Sequence, residues 1–367
     1  MEYLALYRKY RPKTFDEVIG QEHITKALQN QIASGKIAHA YLFTGSRGIG
    51  KTSVARILAK AVNCLDNQFG SPCGKCENCL RLEKENDINV IEIDAASNNR
   101  VDDVRELREK VKFLPINAKY KVYIIDEVHM LTESAFNALL KTLEEPPAHV
   151  IFILATTEVH KLPATILSRC IRFDFRLLSI EKLTEILVNV FNQEKIEYDK
   201  EALKLIACSG EGSVRDTLSI ADCVVAYGEG RVTKEDVLKV LGTTDYQLLI
   251  EYFDLLNNKD VGGVLSFTDD LDQKGKNLSV FVKDLAKHCR DLLICATCKD
   301  PNKLLNLPED VYNLYLEQSK KIEEQKLLEF MQIFASAENE LRYTLSPRLL
   351  LESLSINAMF GDQAKKN

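Results

Sequence analysis

Eight consecutive residues, Gly45-Ser46-Arg47-Gly48-Ile49-Gly50-Lys51-Thr52, follow the spacing G-x-x-x-x-G-K-[ST]. Glycines in such a loop let the backbone curl until successive N–H groups converge on one anion. Lys51 is then placed to neutralise the β- and γ-phosphates of a nucleotide, and Thr52 to set its hydroxyl on Mg²⁺. The spacing alone arises by chance. It carries weight where a strand feeds the loop and a helix leaves it. Both are predicted here: "AYLFTG" (40–45) reads as a short buried strand and "TSVARILAKAVN" (52–63) as a helix. Ser53 lies in that helix's first turn, where the helix dipole also favours an anion.

A phosphate site of this kind needs acid at the end of a second strand. "KVYIIDE" (121–127) supplies it. Asp126 is expected to hold magnesium, directly or through water, and Glu127 to act as general base on an attacking water. The alternative for this pair is helix capping after the strand. A third strand, "HVIFILATT" (149–157), ends in two threonines. Thr157 is the expected partner of the γ-phosphate, with Thr156 the alternative and a plain β-branched strand end the bland reading.

A different chemistry sits between these strands. Cys73-Gly-Lys-Cys76-Glu-Asn-Cys79 gives C-x₂-C-x₂-C, and Cys64 lies nine residues upstream. Four thiolates suit a closed tetrahedral Zn²⁺ site with no position left for catalysis. Similar runs also ligate iron–sulfur clusters, and free thiols are the third reading. Zinc is favoured, as a staple for an excursion too small to have its own core.

The surrounding pattern is strand, helix, strand, helix, with each strand an unbroken apolar run. That pattern predicts a parallel sheet covered on both faces. "NVIEIDA" (89–95) and "CIRFDF" (170–175) complete five strands; 15–36 reads as a helical segment, amphipathic from Gln21 to Ile32 and stopped at Ser34-Gly35, and helices are expected over 101–114 and 134–145. Beyond about residue 178 the strands stop, and helices continue to about residue 360. Gly and Thr at 242–244 read as a hinge.

The 367-residue chain is 46% hydrophobic, enough for two or three cored domains. No apolar run reaches the ~20 residues of a membrane helix. The opening "MEYLALYRKYRPKTF" is too short and charged for a secretory signal, so a soluble cytoplasmic protein with reduced scattered cysteines is expected. The net charge of -6 excludes a global field for nucleic acid, yet residues 1–60 carry ten Lys/Arg against four Asp/Glu. A local basic surface is compatible with phosphate polymers.

Phosphate loop, Asp-Glu strand, polar strand end and helical lid together resemble the AAA+ ATPases. "YRKYRPKTFDEVIGQEHI", the cysteine knuckle, "IEIDAASNNRVDDVRELRE", "KVYIIDEVHMLTESAFNALLKTLEEPP", "ATTEVHKLPATILSRC" and "GSVRDTLS" resemble the gamma/tau clamp-loader family of bacterial DNA polymerase III. The resemblance spans at least residues 1–244. It implies an α/β AAA+ P-loop NTPase domain with a parallel five-stranded sheet and a four-cysteine zinc insertion (1–178). An all-α lid (179–243) and an all-α collar (244–367) would follow. It further implies ATP hydrolysis that opens a sliding clamp and loads it onto primed DNA at replication forks in the nucleoid. The partners implied are the other subunits of a hetero-pentameric ring.

Residue roles follow from the resemblance. Arg169 in "SRC" would be an arginine finger reaching a neighbour's ATP, and Arg215 in "GSVRD" the lid arginine on the chain's own γ-phosphate. Arg11, Pro12 and Val18 would surround the adenine. Ser97 and Arg100 would face the DNA backbone. The family's long form continues into segments that bind polymerase and helicase; those contacts are not expected of residues 1–367. Two rival readings share the core. A branch-migration helicase would add a strand-rich winged helix, whereas helices follow residue 244. A non-hydrolysing scaffold would not need Lys51, Thr52, Asp126 and Glu127.

Overall fold

The computed structural model describes residues 4–67, 69–82, 87–97, 107, 109–228, 230–241, 246–305, 309–341, 344 and 346–361. The expected hinge at 242–244, half of the expected helix at 101–114 and the candidate Arg100 lie outside them. Two compact units emerge, Met1–Val240 and Leu241–Asn367.

The first unit is built on five parallel strands: β1 (Ala40–Thr44), β2 (Val90–Asp94), β3 (Lys121–Asp126), β4 (Val150–Thr156) and β5 (Ile171–Asp174). Their spatial order is β2-β3-β4-β1-β5. Side chains alternate across a strand, so β1, β3 and β4 each feed two cores. Tyr41 and Phe43 join Ile24, Leu28, Val54 and Leu58 on one face. Ala40 and Leu42 join Tyr123, Phe152, Phe136 and Leu139 on the other. Central strands are therefore apolar at nearly every position, as the sequence pattern required. The register Thr44↔Thr156 and Ile125↔Leu154 brings the carboxyl ends of β1, β3 and β4 side by side. That is the edge where open α/β sheets bind ligands.

Two expectations are corrected. The segment 15–36 is helical over the expected amphipathic stretch up to the Ser34 stop, but not continuously from its start. A 3-10 turn at Phe15–Glu17 is followed by a break and then the helix Glu22–Ala33. Gly20 adopts φ +82, and the Gln21 side chain leaves the helix axis to bond both backbone groups of Arg176. Strands also do not stop at 178. Glu197–Tyr198 pairs in parallel with Arg231–Val232, a two-residue bridge too short to leave a periodic signal.

The bridge closes a lid of four helices: Ile180–Glu194, Lys200–Ser209, Val214–Tyr227 and Lys234–Leu241. Ser179 and Ser213 cap two of them, each accepting a backbone N–H three residues on. Among its described residues the regular structure of the second unit is all helical. Its long helices Leu278–Thr297 and Glu324–Leu341 pack around Tyr252, Phe253, Phe281, Leu285 and Phe330. No described helix is long and apolar enough to cross a membrane.

Candidate functional site

The loop between β1 and the helix Lys51–Val62 is held open by glycine. Gly45, Gly48 and Gly50 all have positive φ. A Cβ on Gly45 would stand 2.7 Å from the Phe175 carbonyl oxygen. One on Gly48 would stand 2.1 Å from Ser213 Oγ. The second contact shows what Gly48 is for: the lid rests on it. Arg215 N–H donates to the Gly48 carbonyl over 3.2 Å.

Lys51 is 5% exposed and its ammonium donates to the carbonyls of Gly45 and Ser46 at 2.7 and 2.6 Å. Burial pulls its pKa below the lysine norm, and the nearby carboxylates of Glu127 and Asp126 oppose this. Thr52 Oγ1 donates to Asp126 Oδ2 over 2.8 Å. The hydroxyl and carboxylate expected to share a magnesium ion thus meet across the β1–β3 gap. Asp126 Oδ1 accepts the Glu127 N–H at 3.0 Å, which pins the carboxylate.

Glu127 takes φ +47 and ψ +45, a left-handed conformation unusual for a residue with a side chain. It turns the chain sharply out of β3 into the 3-10 turn Val128–Met130. Thr157 Oγ1 donates to Glu127 Oε2 over 3.1 Å, so Thr157 does face the acid pair. Thr156 is fully buried and bonds inward, its Oγ1 accepting the Glu158 N–H and meeting His129 Nδ1.

Basic groups surround this edge. Arg11 Nε donates to Ser53 Oγ over 3.0 Å. Burial lowers the Arg11 pKa, Arg56 and Arg215 lower it further, and Glu92 and Asp126 oppose them. The Arg215 guanidinium lies 5.2 Å from the centre of the Tyr7 ring. Val18 and Ile49 are buried and Pro12 is half-buried. Between loop and lid a cleft of about 440 Å³ opens, with Ser46 and Arg47 on one side and Glu211, Ser213 and Asp216 on the other.

Other expected site residues lie apart. Arg169 donates to Glu144 at 2.8 Å and to the Thr165 carbonyl at 2.7 Å, on the surface after the short helix Ala164–Leu167. Ser97 is exposed and its hydroxyl reaches Asp94 at 3.4 Å.

The four cysteines converge. All four sulfurs lie within 4.8 Å of one another, with Cys64–Cys76 at 3.9 Å and Cys73–Cys79 at 4.0 Å. A tetrahedral zinc with bonds of about 2.3 Å sets sulfurs about 3.8 Å apart. The donor set therefore fits Zn²⁺. Backbone N–H groups of Cys73, Lys75, Cys76 and Cys79 point at these sulfurs, as thiolates require.

The sequence reading gave no role to His129, Glu158 or Ser213, and took Tyr7 only as part of "YRKYRP", the stretch expected to wrap the adenine. Ser213 had a signal, since Ser213-x-x-Asp216 has the form of a helix cap. The other three are defined by partners distant in sequence or by a turn.

Three family models match consecutive parts of the chain from residue 20 onward. One described as DNA polymerase III, delta subunit, matches residues 20–179. One described as the ATPase lid domain of the DNA polymerase III clamp loader subunit matches 182–230. One described as domain III of DNA polymerase III subunits gamma and tau matches 232–366. The DNA polymerase III subunit tau of Bacillus subtilis is 43% identical over 352 residues, which is 96% of this chain and 62% of that protein. The subunit gamma of Buchnera aphidicola is 43% identical over 261 residues, 71% of this chain and 70% of that one. Among solved structures, the Thermotoga maritima RuvB Holliday junction branch migration motor aligns at 22% identity and a TM-score of 0.49, over 65% of this chain and 78% of its own. The chain spans less than two thirds of the Bacillus subtilis relative's length. From the Buchnera alignment and three consecutive family matches, the chain belongs to the gamma/tau family of DNA polymerase III clamp-loader subunits.

Proposed function

We propose that the chain is the ATP-hydrolysing motor subunit of a clamp-loader ring, opening a sliding clamp and loading it onto primed DNA beside the DNA polymerase III holoenzyme. The observation that carries this is the Thr52–Asp126 bond of 2.8 Å, set beside a buried Lys51 and beneath a lid whose Arg215 backbone touches the loop. The working division is an ATPase core (1–178), a lid (179–243) and an oligomerising collar (244–367).

In this reading Lys51 exchanges the Gly45 and Ser46 carbonyls for phosphate oxygens, joined by the N–H groups of residues 46–53. Mg²⁺ held by Thr52 and Asp126 would neutralise charge on the phosphates. Glu127 takes the proton of the attacking water while Thr157 holds its carboxylate. Arg215 approaches from the lid. Arg169 acts on the nucleotide of an adjacent subunit, where such a finger supplies ~10³–10⁵ in rate. Arg11, Pro12 and Val18 border the adenine, and Ser97 and Arg100 face DNA phosphates. Cys64, Cys73, Cys76 and Cys79 hold a structural zinc. The site of action is the cytoplasm, at replication forks. Polymerase and helicase contacts are not assigned to these residues.

The test is ATP hydrolysis by the chain alone, with partner subunits, and with sliding clamp and primed DNA added. Strong stimulation by clamp plus primed DNA supports the reading. A rate indifferent to both would refute it.

A further inference from the structure

His129 lies two residues beyond Glu127 and its side chain is only 6% exposed. Its Nδ1 stands 3.0 Å from Thr156 Oγ1 and 3.4 Å from Glu127 Oε2. Its Nε2 stands 3.5 Å from Glu158 Oε1. The imidazole therefore bridges the end of β3 to the end of β4. Glu158 is itself held by Lys161 at 2.7 Å, with His160 at 3.6 Å.

The contacts on Glu127 are one-sided. Thr157 Oγ1 and His129 Nδ1 both approach Oε2. Among the described residues no hydrogen bond reaches Oε1, while the buried Lys51 ammonium acts on the same carboxylate through its charge. A carboxylate rotates about a broad, two-fold torsion, so nothing intrinsic holds one oxygen toward a water. Partners on a single oxygen remove that freedom. The left-handed backbone of Glu127 leaves its side chain at a turn, where two more neighbours are needed to define it.

We propose that His129 is a positioning residue for Glu127: with Thr157 it fixes Oε2, which leaves Oε1 as the oxygen that takes the proton from water. The inference rests on Glu127 being the general base. The contacts of His129 are with Thr156, Glu127 and Glu158, so in this proposal it acts through the carboxylate. Its removal should therefore lower turnover and leave nucleotide affinity alone, since misorientation of a base by about an ångström costs rate rather than binding.

The experiment uses the full chain with its partner subunits, clamp and primed DNA. ATP hydrolysis and binding of a fluorescent ATP analogue are measured for His129→Ala, His129→Asn and Glu127→Gln, with His129→Ala also placed on the Glu127→Gln background. The expected results are a kcat about tenfold lower for His129→Ala at unchanged affinity, and recovery of most of the rate by His129→Asn, whose amide can stand where Nδ1 does. On the Glu127→Gln background, His129→Ala should add no further loss. Wild-type kcat in His129→Ala beside an inactive Glu127→Gln overturns this inference alone. Equal losses in His129→Ala and His129→Asn, with affinity falling in step, overturn it in favour of a folding role. Normal turnover in Glu127→Gln overturns the role of Glu127 and this inference with it.

Discussion

The Arg215 backbone N–H donates to the Gly48 carbonyl over 3.2 Å, so the first turn of a lid helix is joined to the phosphate loop. Ser213 Oγ fills the space where a Cβ at Gly48 would stand. Loop shape and lid position are therefore one variable.

Gly48→Ala should uncouple them. The φ of +74 disfavours any side chain, by about 1–2 kcal/mol for a left-handed L-residue, and the added methyl meets Ser213. The expected outcome is weaker ATP binding with the ATPase core still folded. Fluorescent-nucleotide titration with circular dichroism checks it; unchanged affinity contradicts the coupling.

Lys51→Ala removes the ammonium buried in the loop between Gly45 and Ser46. ATP affinity should fall at least about tenfold, the scale of one lost charge-assisted hydrogen bond, about 1.5–3 kcal/mol. Calorimetric titration reads this directly.

Arg169→Ala should leave ATP binding intact, because Arg169 pairs with Glu144 and touches nothing in its own phosphate loop. Within the assembled ring, stimulated hydrolysis should drop by ~10³. Mixing it with a subunit carrying an intact finger but Lys51→Ala tests action in trans: a rate rescued by the mixture supports it.

Metal removal should unfold only the knuckle. The segment 64–79 is stapled by sulfurs 3.9–4.0 Å apart. Chelation, or Cys79→Ser, should release one zinc per chain by atomic absorption and expose Cys64 and Cys73 to thiol reagents. Nucleotide binding should persist, as a closed site makes no catalytic contribution.

Acid should weaken the second unit through His288. This imidazole is buried against Phe253 and Tyr315, and its Nε2 meets Gln318 Oε1 at 2.8 Å. Burial pushes its pKa down to about 4, with the Gln318 bond opposing. An unfolded histidine titrates near about 6.5. Above that value both states are neutral and nothing changes. As pH falls below it the unfolded chain takes up the proton first, so stability declines until about pH 4, by roughly 3 kcal/mol at most. Asp291, raised by burial, acts in the opposite sense at the acid end. Urea midpoints from about pH 8 to 5 for wild type and His288→Gln isolate the effect: the slope should flatten in the variant.

The phosphate loop, the acid pair and the four cysteines were legible in the sequence because each depends on backbone shape or on ligands close along the chain. Glycine spacing dictates a loop, apolar runs dictate buried parallel strands, and C-x₂-C-x₂-C confines three thiolates to one turn. The contact of Ser213 on Gly48, the Tyr7 ring beneath Arg215, and His129 between Glu127 and Thr156 left no such trace. Those arise because parallel order β3-β4-β1 aligns three strand ends, and because the lid, far along the chain, folds back onto the loop. The residues proposed to hold and cleave a phosphate were set by local chemistry. Which oxygen of Glu127 its neighbours engage, and what the lid leans on, were decided by packing between segments far apart in sequence.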